Sequence, residues 1–179
     1  ANVSYVDHCL GVLFDALEAS EYSDNTIVVI WGDHGWHLSE KMHYGKTNLW
    51  EESARVPFIV KVPGSKSRGM RCDGVVNLID LYPTLLEWCG LPANSENDGS
   101  SFAPLLKDPT LDWSFPTLTT YKFINHSVTD GRFRYTWYGG RADGAEELYD
   151  HQNDPLEQTN LAGDPKYRHV IERLKTSLP

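Results

Sequence analysis

An apolar run that ends in polar residues constrains the fold of this chain more than any other feature. Residues 26–31, Thr-Ile-Val-Val-Ile-Trp, are followed by Gly32 and then by Asp33 and His34. A short run of β-branched and aromatic residues predicts a buried strand. Its end then places a carboxylate and an imidazole at the carboxyl edge of a sheet, where open α/β folds bind ligands. The alternative is a plain turn, in which Asp33 caps the backbone and Gly35 supplies a positive φ.

The segments around this strand alternate between helical and extended patterns. An amphipathic helix opens the chain, because apolar residues recur at helical spacing. A second strand follows Pro57 over residues 58–62, and a helix capped by Asp80 covers about 81–89. Between these two strands, Asn48 is placed to cap a short helix. The order of elements predicts an α/β fold class.

The pattern changes in the last part of the chain to short strands with turns between them, followed by a final helix with an apolar stripe. The predicted strands cover residues 117–121, 125–129, 133–137 and 147–149. We therefore predict an α/β part over residues 1–113 and a subdomain of antiparallel strands with a packed helix over residues 114–179. Arg132 and Arg134 alternate with aromatic residues and are expected on the solvated face of their strand.

Positive side chains and imidazoles concentrate between residues 33 and 55, although the chain has a formal net charge of −9. Lys46 suits a tetrahedral anion, because its compact ammonium can neutralise an oxygen as negative charge builds; the alternative is a solvated surface lysine. Trp36 is expected either at the wall of a sugar or aromatic pocket or in the core. His37 and His43 are interpreted as exposed loop imidazoles.

Asp33 and His34 supply two metal-capable groups, fewer than a divalent ion requires. A carboxylate with an imidazole suits zinc, whereas calcium prefers oxygen ligands and accepts an imidazole only as a minority ligand. The two residues therefore predict part of a metal site and leave the metal open.

Composition excludes several classes of function. The acidic balance argues against a nucleic-acid partner, and no apolar run approaches the roughly 18 residues of a membrane helix. The sequence opens inside a helical pattern and shows no signal peptide, so we interpret it as a fragment of a longer protein. Three widely separated cysteines show no metal-binding spacing.

Taken together, these motifs resemble the C-terminal half of the type I sulfatases. The resemblance begins with Asn-Thr-Ile-Val-Val-Ile-Trp-Gly-Asp-His-Gly-Trp-His-Leu-Ser-Glu over residues 25–40, and continues with Gly45-Lys46 and with Trp-Glu-Glu-Ser-Ala-Arg-Val-Pro-Phe-Ile-Val over residues 50–60. Later landmarks lie at 80–86, 98–106, 148–155 and 160–161. The resemblance implies the second part of an alkaline-phosphatase-like α/β sandwich, followed by a small subdomain of antiparallel strands and a helix.

Among sulfatases, the pair Asp33 and His34, followed by Trp36 and later by Lys46, most resembles iduronate-2-sulfatase and related bacterial enzymes. This resemblance implies that Asp33 and His34 hold Ca²⁺, that Lys46 is the catalytic residue that holds the sulfate, and that Trp36 borders the sugar. The implied substrate is a sulfated carbohydrate or another sulfate ester, and the implied location is periplasmic, secreted or lysosomal. The oligomeric state is not predicted.

Members of the family attack sulfur with a formylglycine made from the cysteine of a Cys-x-Pro-Ser-Arg or similar motif. None of Cys9, Cys72 and Cys89 stands in such a motif, so we expect the nucleophile to lie in N-terminal sequence outside these residues and the chain alone to be inactive. The family often has His-Gly after the glutamate that matches Glu40, whereas Lys41 and Met42 follow it here.

Two other functions stay open. Zinc-dependent phosphodiesterases of the alkaline phosphatase superfamily also place Asp and His of an Asp-His-Gly motif on metal, although Lys46 argues against them. A pseudoenzyme or binding module that keeps the scaffold without its nucleophile is the alternative outside catalysis.

Overall fold

The computed structural model describes residues 2–140 and 145–179. Helices and strands alternate along the first half of the chain, and four consecutive strands precede a final helix in the second half. The elements are α1 (Asn2–Glu18), β1 (Val28–Trp31), β2 (His37–Leu38), β3 (Tyr44–Gly45), α2 (Glu51–Ala54), β4 (Phe58–Lys61), α3 (Leu81–Trp88), α4 (Ala103–Lys107), β5 (Thr117–Tyr121), β6 (Asn125–Thr129), β7 (Phe133–Tyr138), β8 (Glu146–Asp150) and α5 (Arg168–Lys175).

Strands β1 and β4 pair antiparallel, with Val28 opposite Lys61 and Trp31 opposite Phe58. The prediction of a strand before Asp33 is confirmed, but the prediction that this strand is buried is wrong for the described residues. Residues 28–30 are half-buried, and Trp31 is 50% exposed. The reason is that an apolar strand is buried only when layers cover both faces, and here the sheet has two strands while α1 buries no residue.

The best-packed core lies in the C-terminal part. Strands β5, β6, β7 and β8 form one antiparallel sheet in sequence order, and α5 packs on it. Core residues from β6, β7, β8 and α5 are Val128, Phe133, Tyr135, Leu148, Val170, Ile171 and Leu174. Burying one such aliphatic side chain stabilises the fold by about 1.5–3 kcal/mol. This cluster holds α5 against one face of the sheet.

Local hydrogen bonds explain where two helices begin. Asp164 accepts a hydrogen bond from the backbone N–H of Lys166, and Pro165 occupies the first turn, so the short 3₁₀ turn that leads into α5 is capped. The prediction that the Asp80 side chain caps α3 is wrong, because that side chain makes no capping hydrogen bond to the helix. Its carboxylate instead accepts from the N–H groups of Asn77 and Ser100 and so closes the turn before the helix.

In the described ranges, no helix combines the length and the apolar character needed to cross a bilayer. The division at residues 113 and 114 stays a prediction, and contacts cross it: the side-chain oxygen of Asn77 accepts from the Leu118 N–H, and the Trp50 indole donates to the Glu147 carboxylate.

Candidate functional site

The backbone around Gly35 brings the end of β1 against α2. The Gly35 N–H donates to the Ser53 carbonyl at 2.9 Å. A Cβ at position 35 would lie 2.0 Å from the Glu52 carbonyl oxygen and 2.7 Å from that of Arg55, closer than any real contact. Glycine is therefore required here for close approach. The alternative role, a positive φ at Gly35, is wrong, because Gly35 is not among the positive-φ residues of the described chain.

His34 is oriented by a hydrogen bond to the backbone. Its Nδ1 lies 2.8 Å from the Gly35 carbonyl oxygen. A carbonyl can only accept, so Nδ1 carries the hydrogen, and in the neutral ring Nε2 is the nitrogen with the lone pair. Such a backbone partner commonly fixes the tautomer of a metal-binding histidine. The other ring nitrogen is therefore available to a cation or a donor.

Lys46 and Asp33 both face this nitrogen. Lys46 Nζ lies 2.6 Å from His34 Nε2, and Asp33 Oδ2 lies 3.4 Å from it. Lys46 comes into place because β2 and β3 form a hairpin in which His37 pairs with Gly45. The structure therefore brings together three residues that the sequence singled out, although Lys46 lies 12 positions beyond His34.

Trp36 lies at the rim of this group. Its ring centroid is 6.2 Å from that of His34, and the residue is 53% exposed. The alternative prediction of a core tryptophan is therefore wrong. The Asp33 side chain is 85% exposed and that of His34 is 31% exposed, so the group is open to solvent in the described part of the chain.

The donor set fits a metal only in part. Among residues 2–140 and 145–179, no group of three or more histidine, cysteine, aspartate or glutamate side chains is placed to hold a metal ion. Asp33 and His34 nevertheless offer one oxygen and one nitrogen on the same side, and the hydrogen bond at Nδ1 leaves Nε2 as the nitrogen that can bind a metal. They fit as two members of a larger ligand set.

Glu40 stabilises the hairpin that carries Lys46. Its carboxylate accepts from the Leu38 N–H at 2.5 Å. Backbone hydrogen bonds from Glu40 and Leu38 hold the pKa of this exposed carboxyl below its usual value, so the side chain is ionised at neutral pH. It thus acts on the hairpin rather than as a proton donor.

The prediction that Arg134 lies on a solvated face is wrong. Its side chain is 3% exposed, with Nε 3.1 Å from Glu157 Oε1 and with an ion pair from its guanidinium to Glu51. The Glu157 side chain is 2% exposed and also lies 2.9 Å from His151 Nε2. Alternation along β7 gave no sign of this network, because one face of that strand is covered by residues distant in sequence. Arg132, with a half-exposed side chain, matches the prediction better.

His37 is also not the exposed imidazole that was predicted. It is 1% exposed, and its ring contacts those of His43 and Trp50 edge to face, at centroid distances of 5.2 and 5.8 Å. The half-buried His43 ring also packs against Trp50. The rings of His37, His43 and Trp50 therefore form one aromatic cluster beside the β2–β3 hairpin.

A family model described as Sulfatase matches residues 1–91, about half of the chain. The chain belongs to the sulfatase family. It is 40% identical over its whole length to a sulfatase from Formosa agariphila and spans 34% of that protein. It is 34% identical, over 87% of its length, to a Delta 4,5-hexuronate-2-O-sulfatase from Bacteroides thetaiotaomicron, of which it also spans 34%.

The fold extends beyond sulfatases. A phosphonate monoester hydrolase from Silicibacter pomeroyi superimposes on 96% of the chain with a TM-score of 0.78 and 26% identity, and the chain covers 37% of that structure. The predicted alkaline-phosphatase-like α/β fold with small antiparallel sheets and helices is thereby confirmed. The sulfatase chain described here spans about a third of each relative, so two thirds of their length has no counterpart in it.

Proposed function

We propose that this chain supplies the second half of the active site of a sulfatase that hydrolyses sulfate esters of sugars. The observation that carries the proposal is the convergence of Lys46 Nζ and Asp33 Oδ2 on His34 Nε2, at 2.6 and 3.4 Å. It sets groups suited to a cation directly beside an ammonium suited to an anion. Membership of the sulfatase family supports a sulfate ester as that anion.

Each of the four residues has a role in this proposal. Lys46 is the catalytic residue, which binds the sulfate and opposes negative charge as the ester bond breaks. Asp33 and His34 would hold Ca²⁺ together with ligands from outside these residues, and the cation would supply electrostatic stabilisation of the sulfate. Trp36, half-exposed beside His34, would border the sugar ring.

The finer specificity is also a proposal. We propose that the substrate is the 2-sulfate of a uronic acid. Similarity to the Delta 4,5-hexuronate-2-O-sulfatase supports this substrate, and so does the iduronate-2-sulfatase-like pattern of the sequence. The nucleophile would be a formylglycine contributed by sequence outside these residues. We further propose a periplasmic, secreted or lysosomal location.

A second function is supported by the phosphonate monoester hydrolase match. In that case the protein would be a zinc-dependent phosphodiesterase, and Asp33 and His34 would hold zinc. A non-catalytic binding module is the third possibility. These three differ in the ester that is turned over and in the metal that restores activity.

The test uses the intact protein that carries this chain, assayed with a sulfated uronic acid disaccharide, an aryl sulfate and a bis-aryl phosphate. We expect the sulfate esters to be cleaved faster than the phosphate, and Ca²⁺ to restore activity after treatment with a chelator. Lys46→Ala should lower kcat about 10²- to 10³-fold, as loss of one charge-stabilising group does elsewhere. Lys66→Ala, at an exposed position, is the matched control and should change little.

Faster cleavage of the phosphate, with recovery in Zn²⁺ and not in Ca²⁺, would establish the phosphodiesterase instead. Absence of turnover with every ester would favour the binding module. The isolated 179 residues should hydrolyse no aryl sulfate, since they contain no cysteine in a formylglycine motif; turnover by this fragment would contradict the proposed division of the site.

A further inference from the structure

The hairpin that carries Lys46 turns through an unfavourable backbone conformation. Ser39, Lys41 and Met42 have φ angles of 111°, 52° and 55°. These values lie in the left-handed region, which residues other than glycine rarely adopt. Met42 is 98% exposed, so its own side chain does not hold the turn. Such strain persists only where surrounding contacts over-determine the conformation. The contacts of Lys41 fulfil that condition.

Lys41 extends from the turn into the C-terminal part of the chain. Its ammonium donates to the Tyr149 hydroxyl at 3.0 Å and to the Glu157 carbonyl oxygen. It also lies over two aromatic rings, 4.3 Å from the centroid of Tyr149 and 4.6 Å from that of Trp50. A cation in such an aromatic setting is held by the ring faces as well as by its hydrogen bonds. We call these four contacts the Lys41 clamp.

Glu157 also holds the chain on the other side of Lys46. Its carboxylate oxygen Oε2 accepts from the backbone N–H of Glu51 at 3.0 Å, while its carbonyl accepts from Lys41. The segment between positions 41 and 51 is thus attached at both ends to one buried residue of the other part of the chain. Lys46 lies in the middle of this segment.

We propose that Lys41 is a positioning residue, whose clamp fixes the β2–β3 hairpin so that Lys46 faces His34; its effect on catalysis rests on the sulfatase function proposed above. Lys41 itself is engaged with Tyr149 and Glu157 and does not contact the substrate.

The test compares variants of the intact protein in hydrogen exchange and in steady-state kinetics. Lys41→Met keeps the length of the side chain and removes its charge and its donors. We expect exchange in residues 37–46 to quicken about tenfold or more. We also expect kcat/KM for a sulfate ester to fall about ten- to hundred-fold, since misplacement of a group by about 1 Å has effects of that size. Lys41→Arg should restore part of both, because a guanidinium also donates and stacks on aromatic rings. Lys166→Met, at an exposed lysine, is the control.

The separate effects on kcat and on KM distinguish a positioning role of Lys41 from a general structural role. A displaced Lys46 raises KM for the sulfate ester as well as lowering kcat, whereas loss of folded protein lowers apparent kcat alone. Unchanged exchange in Lys41→Met would overturn the clamp. Quicker exchange with unchanged kcat and KM, or with a fall in kcat alone, would overturn the positioning role.

A milder variant keeps the test decisive if Lys41→Met does not fold. Tyr149→Phe removes only the hydroxyl that accepts from Lys41 and leaves the ring in place, so the same peptides should exchange faster by a smaller factor. If the wild-type protein cleaves no sulfate ester, the proposed function has failed, and the exchange data alone decide whether the clamp exists.

Discussion

Replacement of Arg134 by methionine tests the buried charge network most directly. The variant leaves Glu157, 2% exposed, and Glu51, 18% exposed, without their shared cation. Removing one partner of a buried ion pair destabilises a protein by about 3–5 kcal/mol, because the remaining charge has lost its hydration. The contacts that Glu157 keeps with His151 and with the Glu51 N–H compensate for this only in part. The shift in Tm per kcal/mol falls as the unfolding entropy grows with chain length, so in the intact protein this loss corresponds to a fall in Tm of a few °C.

Thermal unfolding of the intact protein, followed by tryptophan fluorescence, measures this effect. Arg168→Met is the matched control, since Arg168 is exposed and surface substitutions usually change stability by less than about 0.5 kcal/mol. Adding Glu157→Gln to Arg134→Met should recover part of the loss, because a neutral amide is less costly to bury than a carboxylate. A loss no larger than that of the control, or no recovery in the double variant, would refute the role given to the network.

Two further predictions concern a close approach and a titrating group. Gly35→Ala should destabilise the protein by about 1–3 kcal/mol through overpacking, since the new Cβ would lie 2.0 Å from the Glu52 carbonyl oxygen. It should also lower sulfate ester turnover. Gly163→Ala is the control for the stability and turnover assays, because a Cβ at position 163 meets nothing within 4 Å. Hydrogen bonds from Arg132 hold the pKa of the Asp150 carboxyl below its usual value. The stability it contributes is therefore fully present above the unfolded pKa of about 4 and is lost as the pH falls through the folded value. Urea unfolding at several acid pH values should show a shallower acid loss in Asp150→Asn; an unchanged slope would contradict this account.

Much of the fold follows from local patterns in the sequence. The strand before Asp33, the four C-terminal strands and the apolar stripe of α5 were all predicted, because alternation and helical spacing depend on nearby residues. Exposure was predicted less well. Residues 28–30 were expected to be buried and are half-exposed, whereas Arg134 and His37 were expected in solvent and are buried. Burial depends on which elements pack together, and this is set by contacts distant in sequence.

The candidate site was likewise predictable from the sequence only in part. Sequence alone determined that a carboxylate and an imidazole follow a strand directly, and that a lysine lies a short distance beyond, because these facts are properties of order along the chain. Only the tertiary structure decided that Lys46 returns to within hydrogen-bonding distance of His34, and that Lys41 reaches Tyr149 across 108 positions. The register of the β2–β3 hairpin and the position of the Lys41 ammonium over two aromatic rings both arise from packing. Neither can be predicted from residues that are neighbours in the sequence.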